Sequence, residues 1–158
     1  MFKRALLAFL ALPGMVALLA PVGIVVFDPW RGKIWLIGLF VLLAGLGILI
    51  WCVRDFYVVG KGTLAPWCPP ENLVIVGLYR YVRNPMYIGV IVLVAGWALL
   101  FLSPLVAGYL ILLALAFHIR VVRYEEPWLE SRFGTAWRAY CNQVPRWLPR
   151  YSSSDKIH

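Results

Sequence analysis

The chain is short of charge. Only 14% of its 158 residues are Asp, Glu, Lys or Arg, and Asp and Glu together number 7. A soluble domain carries about a quarter charged residues, so much of the surface that water would normally solvate is missing. With 63% hydrophobic residues and a mean hydropathy of +0.82, the chain needs a second, apolar solvent, and a bilayer supplies one. Histidine and cysteine are scarce as well. Cys52, Cys68 and Cys141 form no CxxC pair and have no histidine at ligand spacing, and His118 and His158 are isolated. That pattern gives a metal centre little support, and the odd cysteine count excludes a complete disulfide framework. The net charge of +8 does not point to nucleic acid. Its cations stand at the ends of apolar runs, where they meet lipid headgroups and set topology.

The runs themselves predict an all-α, polytopic membrane protein with four transmembrane helices in one domain, 1–158. Residues 5–27 follow Lys3 and Arg4 and are long enough to cross about 30 Å of hydrocarbon. Pro21 after Ala20 disfavours signal cleavage, and Pro13-Gly14 predicts a bend. The further spans are 34–53, 86–102 and 105–122, the last two joined by Ser103-Pro104 alone, which forces an antiparallel hairpin. Lys3, Arg4, Arg54, Lys61, Arg80, Arg83 and the basic tail fall on one side, against Arg31 and Lys33 on the other. By the positive-inside rule both termini are cytoplasmic. In a bacterium this is an inner-membrane protein. Gly38, Gly45 and Gly47 are small enough to pack helices within or between chains.

Two polar segments complete the chain. Residues 54–84 hold Gly60, Gly62, Pro66, Pro69 and Pro70 and read as an irregular loop, with Trp67 and Leu73-Val74-Ile75-Val76 as its apolar anchors. The tail, 123–158, begins with an interfacial amphipathic helix whose apolar stripe is Leu129, Phe133, Ala136 and Tyr140. His118, deep in the fourth run, is flagged as a functional residue, with an interhelical hydrogen bond as its favoured role.

Chemistry concentrates at the feet of the hairpin. In Arg83-Asn84-Pro85, Asn is a favoured N-cap and Pro fits the first helical turn. The third span therefore starts with its positive dipole end near the surface, where it attracts an anion. Tyr79, Tyr81 and Tyr87 add hydroxyls and ring faces. Glu125 and Glu126 stand where the fourth span leaves the membrane, and the antiparallel hairpin brings them to the same side. Adjacent carboxylates there are either neutralised by Arg120, Arg123 and Arg132 or accept hydrogen bonds from a ligand. Acidic and basic groups at one mouth suit a zwitterionic cofactor with a positive sulfur centre.

The stretch 77–89, a hairpin, and then Glu125-Glu126-Pro127-Trp128-Leu129, Phe133-Gly134, Tyr140 and Val144-Pro145 resemble the isoprenylcysteine carboxyl methyltransferase family, which belongs with the membrane phospholipid methyltransferases. The resemblance runs from about Asp55 to Pro149 and implies an integral-membrane enzyme using S-adenosylmethionine. The cofactor would enter from the cytoplasm under the loop before Val76, and a lipophilic, lipid or prenylated acceptor from the bilayer. Tyr79, Arg83, Asn84, Pro85 and Tyr87 match the first motif and Glu125 and Glu126 the second; Tyr79, Asn84, Pro85, Tyr87, Glu125 and Glu126 are the expected cofactor-binding set. Arg83 and Arg146 are the expected catalytic cations if the acceptor is acidic, while Glu125 or Glu126 would take the proton of an amine. Asn84 departs from the histidine usual in eukaryotic members, and no glycine fingerprint of a soluble Rossmann methyltransferase is present. The acceptor stays open between a carboxyl or related O- or S-methyltransferase reaction, amino-phospholipid N-methylation and a non-catalytic scaffold.

Overall fold

The structure, a computed structural model, describes residues 10–30, 32, 34–60 and 72–149. Residues 5–9 of the first expected span lie outside the described residues, as do Arg31 and Lys33, the loop with Trp67 and Cys68, and the tail after Pro149. A π-helical stretch, Leu10–Leu19, contains Pro13-Gly14 and leads into α1 (Ala20–Phe27). Then come α2 (Trp35–Gly60), a 3-10 turn (Gly77–Arg80), α3 (Pro85–Leu100) and α4 (Pro104–Arg120). A π-helical turn, Val121–Glu125, joins α4 to α5 (Glu126–Gln143).

Two of these helical runs, Trp35–Gly60 and Pro104–Gln143, are long and apolar enough to cross a membrane; Gly14–Phe27 and Pro85–Leu100 are shorter apolar helices. Two expected boundaries are corrected. The second apolar run stays helical to Gly60, so the loop begins there and not at Arg54. The fourth run does not end near Val122 but passes through the π-helical turn into α5. Pro127 explains the wide turn. A proline has no N–H to return to the preceding turn of an α-helix, and a π-helical turn accommodates that mismatch without ending the helix.

The packing centres on α2 and α3, which make the most extensive helix pair. Lipid is as apolar as leucine, so helix association in a bilayer depends on close backbone approach more than on the hydrophobic effect. Glycine provides it on both helices. A Cβ on Gly45 would stand 2.4 Å from the Leu93 backbone nitrogen, and one on Gly96 2.5 Å from Leu42 Cα. Gly38 meets Leu100 in the same way, while Gly47 faces open space. Leu49, Val90, Leu93, Val94, Val106 and Leu113 fill the core between α2, α3 and α4. The long apolar faces of α2 and α4, including Leu36, Phe40, Ile111 and Leu112, are left exposed.

At the end away from the charged motifs, Ser103 caps α4 by accepting the Val106 N–H at 3.2 Å, with Pro104 in the first turn. The Ser103 hydroxyl donates to Asp28 Oδ2, which also accepts the Leu105 N–H at 3.3 Å. Asp28 and Ser103 are both buried. A carboxylate at a helix N-terminus complements the dipole, and here it fastens α1 to the hairpin turn.

Replacing Gly45 by Ala forces the α2–α3 backbones apart and is expected to cost about 1–3 kcal/mol, as overpacking does in other cores. Gly47→Ala, in open space, is expected to be neutral or to stabilise by about 0.5–1 kcal/mol through helix propensity. Thermal melts of the two variants in one detergent compare them directly.

Candidate active site

The first motif turns the chain from the end of α2 into the start of α3. Gly77 has φ +56°, and a Cβ there would fall 2.0 Å from Asp55 Oδ2, so no side chain passes at this point. The 3-10 turn then drives Tyr79 inward, where it packs with Cys52 and Val74 and lies 6.4 Å, ring to ring, from Phe56. Burial pushes the Tyr79 phenol up from its ordinary range, so it stays neutral. Its ring belongs to this apolar cluster and not to the carboxylates. What it offers the site is its carbonyl, which accepts the Tyr140 hydroxyl at 2.6 Å.

Arg83 and Glu126 meet as the sequence motifs require. Arg83 Nη1 donates to Glu126 Oε1 at 2.9 Å and to Cys141 Sγ at 3.0 Å, and its guanidinium lies 5.9 Å from the Trp137 ring centre. Arg146 completes the clamp: Nε reaches Glu126 Oε1 at 2.8 Å and Nη2 reaches Oε2 at 2.7 Å. Such two-pronged pairing fixes both groups in a plane, and it raises the Arg146 pKa further. Glu126 and Arg83 keep only 17% and 13% of their side-chain surface in solvent. Arg83 Nε is buried with no partner.

Asn84 corrects one expectation. Its carbonyl accepts the Ile88 N–H at 3.3 Å, and Pro85 occupies the first turn of α3, but the side chain makes no capping bond. Nδ2 donates instead to the Arg146 carbonyl at 3.2 Å, while the Arg83 N–H donates to the Pro145 carbonyl at 2.9 Å. The side chain thus serves the tail rather than the helix start. Tyr87, one turn into α3, donates to Glu125, and Arg120 Nε reaches the same oxygen at 2.8 Å. Among the described residues Glu125 is neutralised by Arg120, as anticipated, but Glu126 by Arg83 and Arg146 and not by Arg123 or Arg132.

Several participants were not foreseen. At Gly134 the backbone takes φ 51° and ψ −119°, breaking α5 into two arms. That resets the helical phase, so Trp137 is buried where the stripe had placed Ala136, and Ala136 is exposed. The second arm brings Trp137 and Cys141 back to Arg83. Beside them a cavity of about 430 Å³ is lined by Val122, Glu126, Pro127, Glu130, Trp137, Arg138, Cys141 and Asn142. Only the Phe133-Gly134 pair hinted at this fold-back.

The sequence profile of the phospholipid methyltransferases matches residues 34–136. The chain belongs to that family. Neither a curated protein nor a solved structure matches it. The protein is therefore a membrane methyltransferase of lipid-like substrates, and the matched range contains Tyr79, Arg83, Asn84, Pro85, Tyr87, Glu125 and Glu126. Trp137, Cys141 and Arg146, which meet the Arg83–Glu126 pair, lie beyond it. Among the described residues no group of three His, Cys, Asp or Glu is placed to hold a metal ion.

Glu126→Gln leaves the buried Arg83 guanidinium and the one-third-exposed Arg146 facing an amide, and breaking a largely buried pair in this way is expected to cost about 3 kcal/mol. Glu125→Gln loses only a pair whose arginine is 54% exposed, and is expected to cost less than about 1 kcal/mol. Melting temperatures of the ligand-free proteins should fall in that order.

Proposed function

We propose that this protein transfers a methyl group from S-adenosylmethionine to a lipophilic acceptor at the mouth formed by Arg83, Asn84, Tyr87, Glu125, Glu126 and Arg146. The observation that carries the reading is the clamp on Glu126, which draws the two motifs and the tail to one point beside a cavity of about 430 Å³. The donor set fits the cofactor's chemistry. Glu126 and Glu130 line the cavity with carboxylate oxygens suited to hydroxyl and ammonium donors, and Trp137 presents an aromatic face to a cation or a base. Arg83 Nε is a buried donor still lacking an acceptor, suited to a carboxylate. When bound, the cofactor supplies an activated methyl group, so the protein needs no conventional triad.

The residues of this chain mainly hold, orient and exclude water. Positioning of this kind can be worth about 7–11 kcal/mol of barrier. Burial of the Arg83–Glu126 contact keeps bulk water from the junction of motifs and tail, and Tyr87 with Arg120 holds Glu125 in one orientation. For the acceptor we favour a carboxylate, as in isoprenylcysteine carboxyl methylation. Three guanidinium groups, of Arg83, Arg120 and Arg146, meet two carboxylates here, leaving one positive charge and the Arg83 Nε donor over. A second reading, N-methylation of an amino-phospholipid, is supported by the family to which the chain belongs. There Glu125, the more exposed carboxylate at 30%, would take the amine proton. Placing the mouth on the cytoplasmic face follows from the distribution of basic residues and belongs to the same proposal.

S-adenosylhomocysteine is expected to raise the melting temperature of the purified protein, by about 2.7 kcal/mol of stabilisation at 100-fold over its dissociation constant. Glu126→Gln should abolish the rise, and an unchanged rise in that variant would reject the site. Methyl-labelled cofactor and membrane lipid extract distinguish the acceptors: label released by base as methanol indicates an ester, whereas base-stable label indicates nitrogen or sulfur.

A further inference from the structure

The segment after α5, residues 144–148, crosses the mouth as a strap, and its tethers are unequal. On the inner side, Pro145 and Arg146 are tied to the foot of α3 and to Glu126 by four hydrogen bonds from Arg83, Asn84 and the Arg146 guanidinium. On the outer side, Trp147 Nε1 donates to His118 Nδ1 at 3.2 Å, their rings 6.1 Å apart and tilted by 36°. This bond is neutral and solvent- or lipid-accessible, whereas the inner set includes a bidentate ion pair. The outer tether is therefore the one that opens first. It also answers why an exposed histidine sits in an apolar run: it binds the strap, not another helix.

The position of this tether matters. His118 borders the face on which α4 exposes Leu115 and Ile119, the face a bilayer would cover. Immediately behind it, Phe117 lies 4.4 Å, ring to ring, from Tyr87, and Tyr87 binds Glu125. The Trp147–His118 pair thus stands one residue along α4 from the Phe117–Tyr87 contact that leads to Glu125. The cavity bordered by Glu126, Glu130 and Trp137 has neither Trp147 nor His118 in its lining.

We propose that Trp147 is the gatepost for the acceptor: its apolar chain, prenyl or acyl, displaces the indole from His118 and packs against Phe117 in its place. The indole–imidazole pair thereby selects which chain reaches Glu125 and Glu126. Trp147 acts by positioning and not in the chemistry. The inference rests on the reading of this mouth as a methyltransferase site for lipophilic acceptors.

The test uses the full chain in proteoliposomes containing, in separate samples, a farnesylcysteine and a phosphatidylethanolamine that carry a diazirine on the apolar chain. After irradiation, labelling of the peptide with Phe117 is quantified. Trp147→Phe, which keeps a smaller aromatic ring but loses the N–H, and His118→Ala are both expected to raise labelling about fivefold, the population change for one neutral hydrogen bond. The acceptor KM should fall with them while kcat does not follow, and whichever probe is enriched identifies the chain as prenyl or acyl. Trp147→Ala should raise labelling at least as much. Unchanged labelling in all three variants, or no labelling by either probe, overturns the gate, as does a parallel loss of kcat and of stabilisation by S-adenosylhomocysteine. If S-adenosylhomocysteine fails to stabilise even the parent protein, the methyltransferase reading of this mouth fails. The labelling ratios then still decide the gate.

Discussion

Glu126 between Arg83 and Arg146 is the contact on which the arrangement of the mouth depends. It joins three parts of the chain that no turn connects: the foot of α3, the start of α5 and the strap after α5. A largely buried carboxylate is costly to desolvate, and the cost is offset only when each of its oxygens is hydrogen-bonded. Here both are, one by two guanidinium nitrogens and the other by a third. Any position of the strap that failed to deliver Arg146 would leave that carboxylate short of donors. The electrostatic requirement thus translates into a geometric one, and the bonds from the Arg83 N–H to the Pro145 carbonyl and from Asn84 Nδ2 to the Arg146 carbonyl follow in register.

Two backbone irregularities make the contact reachable. The π-helical turn before Pro127 lets the hydrogen-bonded ladder continue from α4 into α5, so Glu125 and Glu126 ride on a helix and not on a loose exit loop. Gly134 then breaks α5 and turns its second arm, carrying Trp137, Tyr140 and Cys141, back over the first motif. Tyr140 closes the fold-back by donating to the Tyr79 carbonyl. Residues with φ near +50° and ψ near −120° are almost confined to glycine, which makes Gly134 a structural requirement of the site although it touches no charged group.

The two ends of the helical bundle are built on different principles. Away from the mouth, close glycine-mediated packing joins α2 to α3 and the Asp28–Ser103 bond fastens the hairpin turn. At the mouth, ion pairs join the chain segments, and Arg83 Nε, like Trp97 Nε1 toward the other end of α3, is buried with no partner among the described residues. One end thus sets the helix spacing, and the other joins the two motifs and the tail through ion pairs.

Much of this was legible in the sequence, for identifiable reasons. Low charge and apolar runs impose helices in a membrane, because only internally bonded backbone is tolerated there. Ser103-Pro104 imposes the hairpin, and the hairpin places Asn84 near Glu125 and Glu126. Local rules also named Pro85 correctly as the first turn of α3 and Arg120 as a partner of Glu125. The helix ends were less legible, since α2 continues past Val53 and the run of α4 passes through the π-helical turn into α5, although polar residues begin at both places. What only the tertiary structure decided was which partner each polar group takes. Asn84 bonds the tail and does not cap its helix, Tyr79 joins an apolar cluster, Glu126 takes Arg83 and Arg146, and His118 takes Trp147. The physical reason is common to all four. Sequence fixes local backbone preferences, but a hydrogen bond or ion pair goes to whichever partner the packing brings within about 3 Å, and here that partner lies 29 to 62 residues away for the bonds of Asn84, Arg83 and His118.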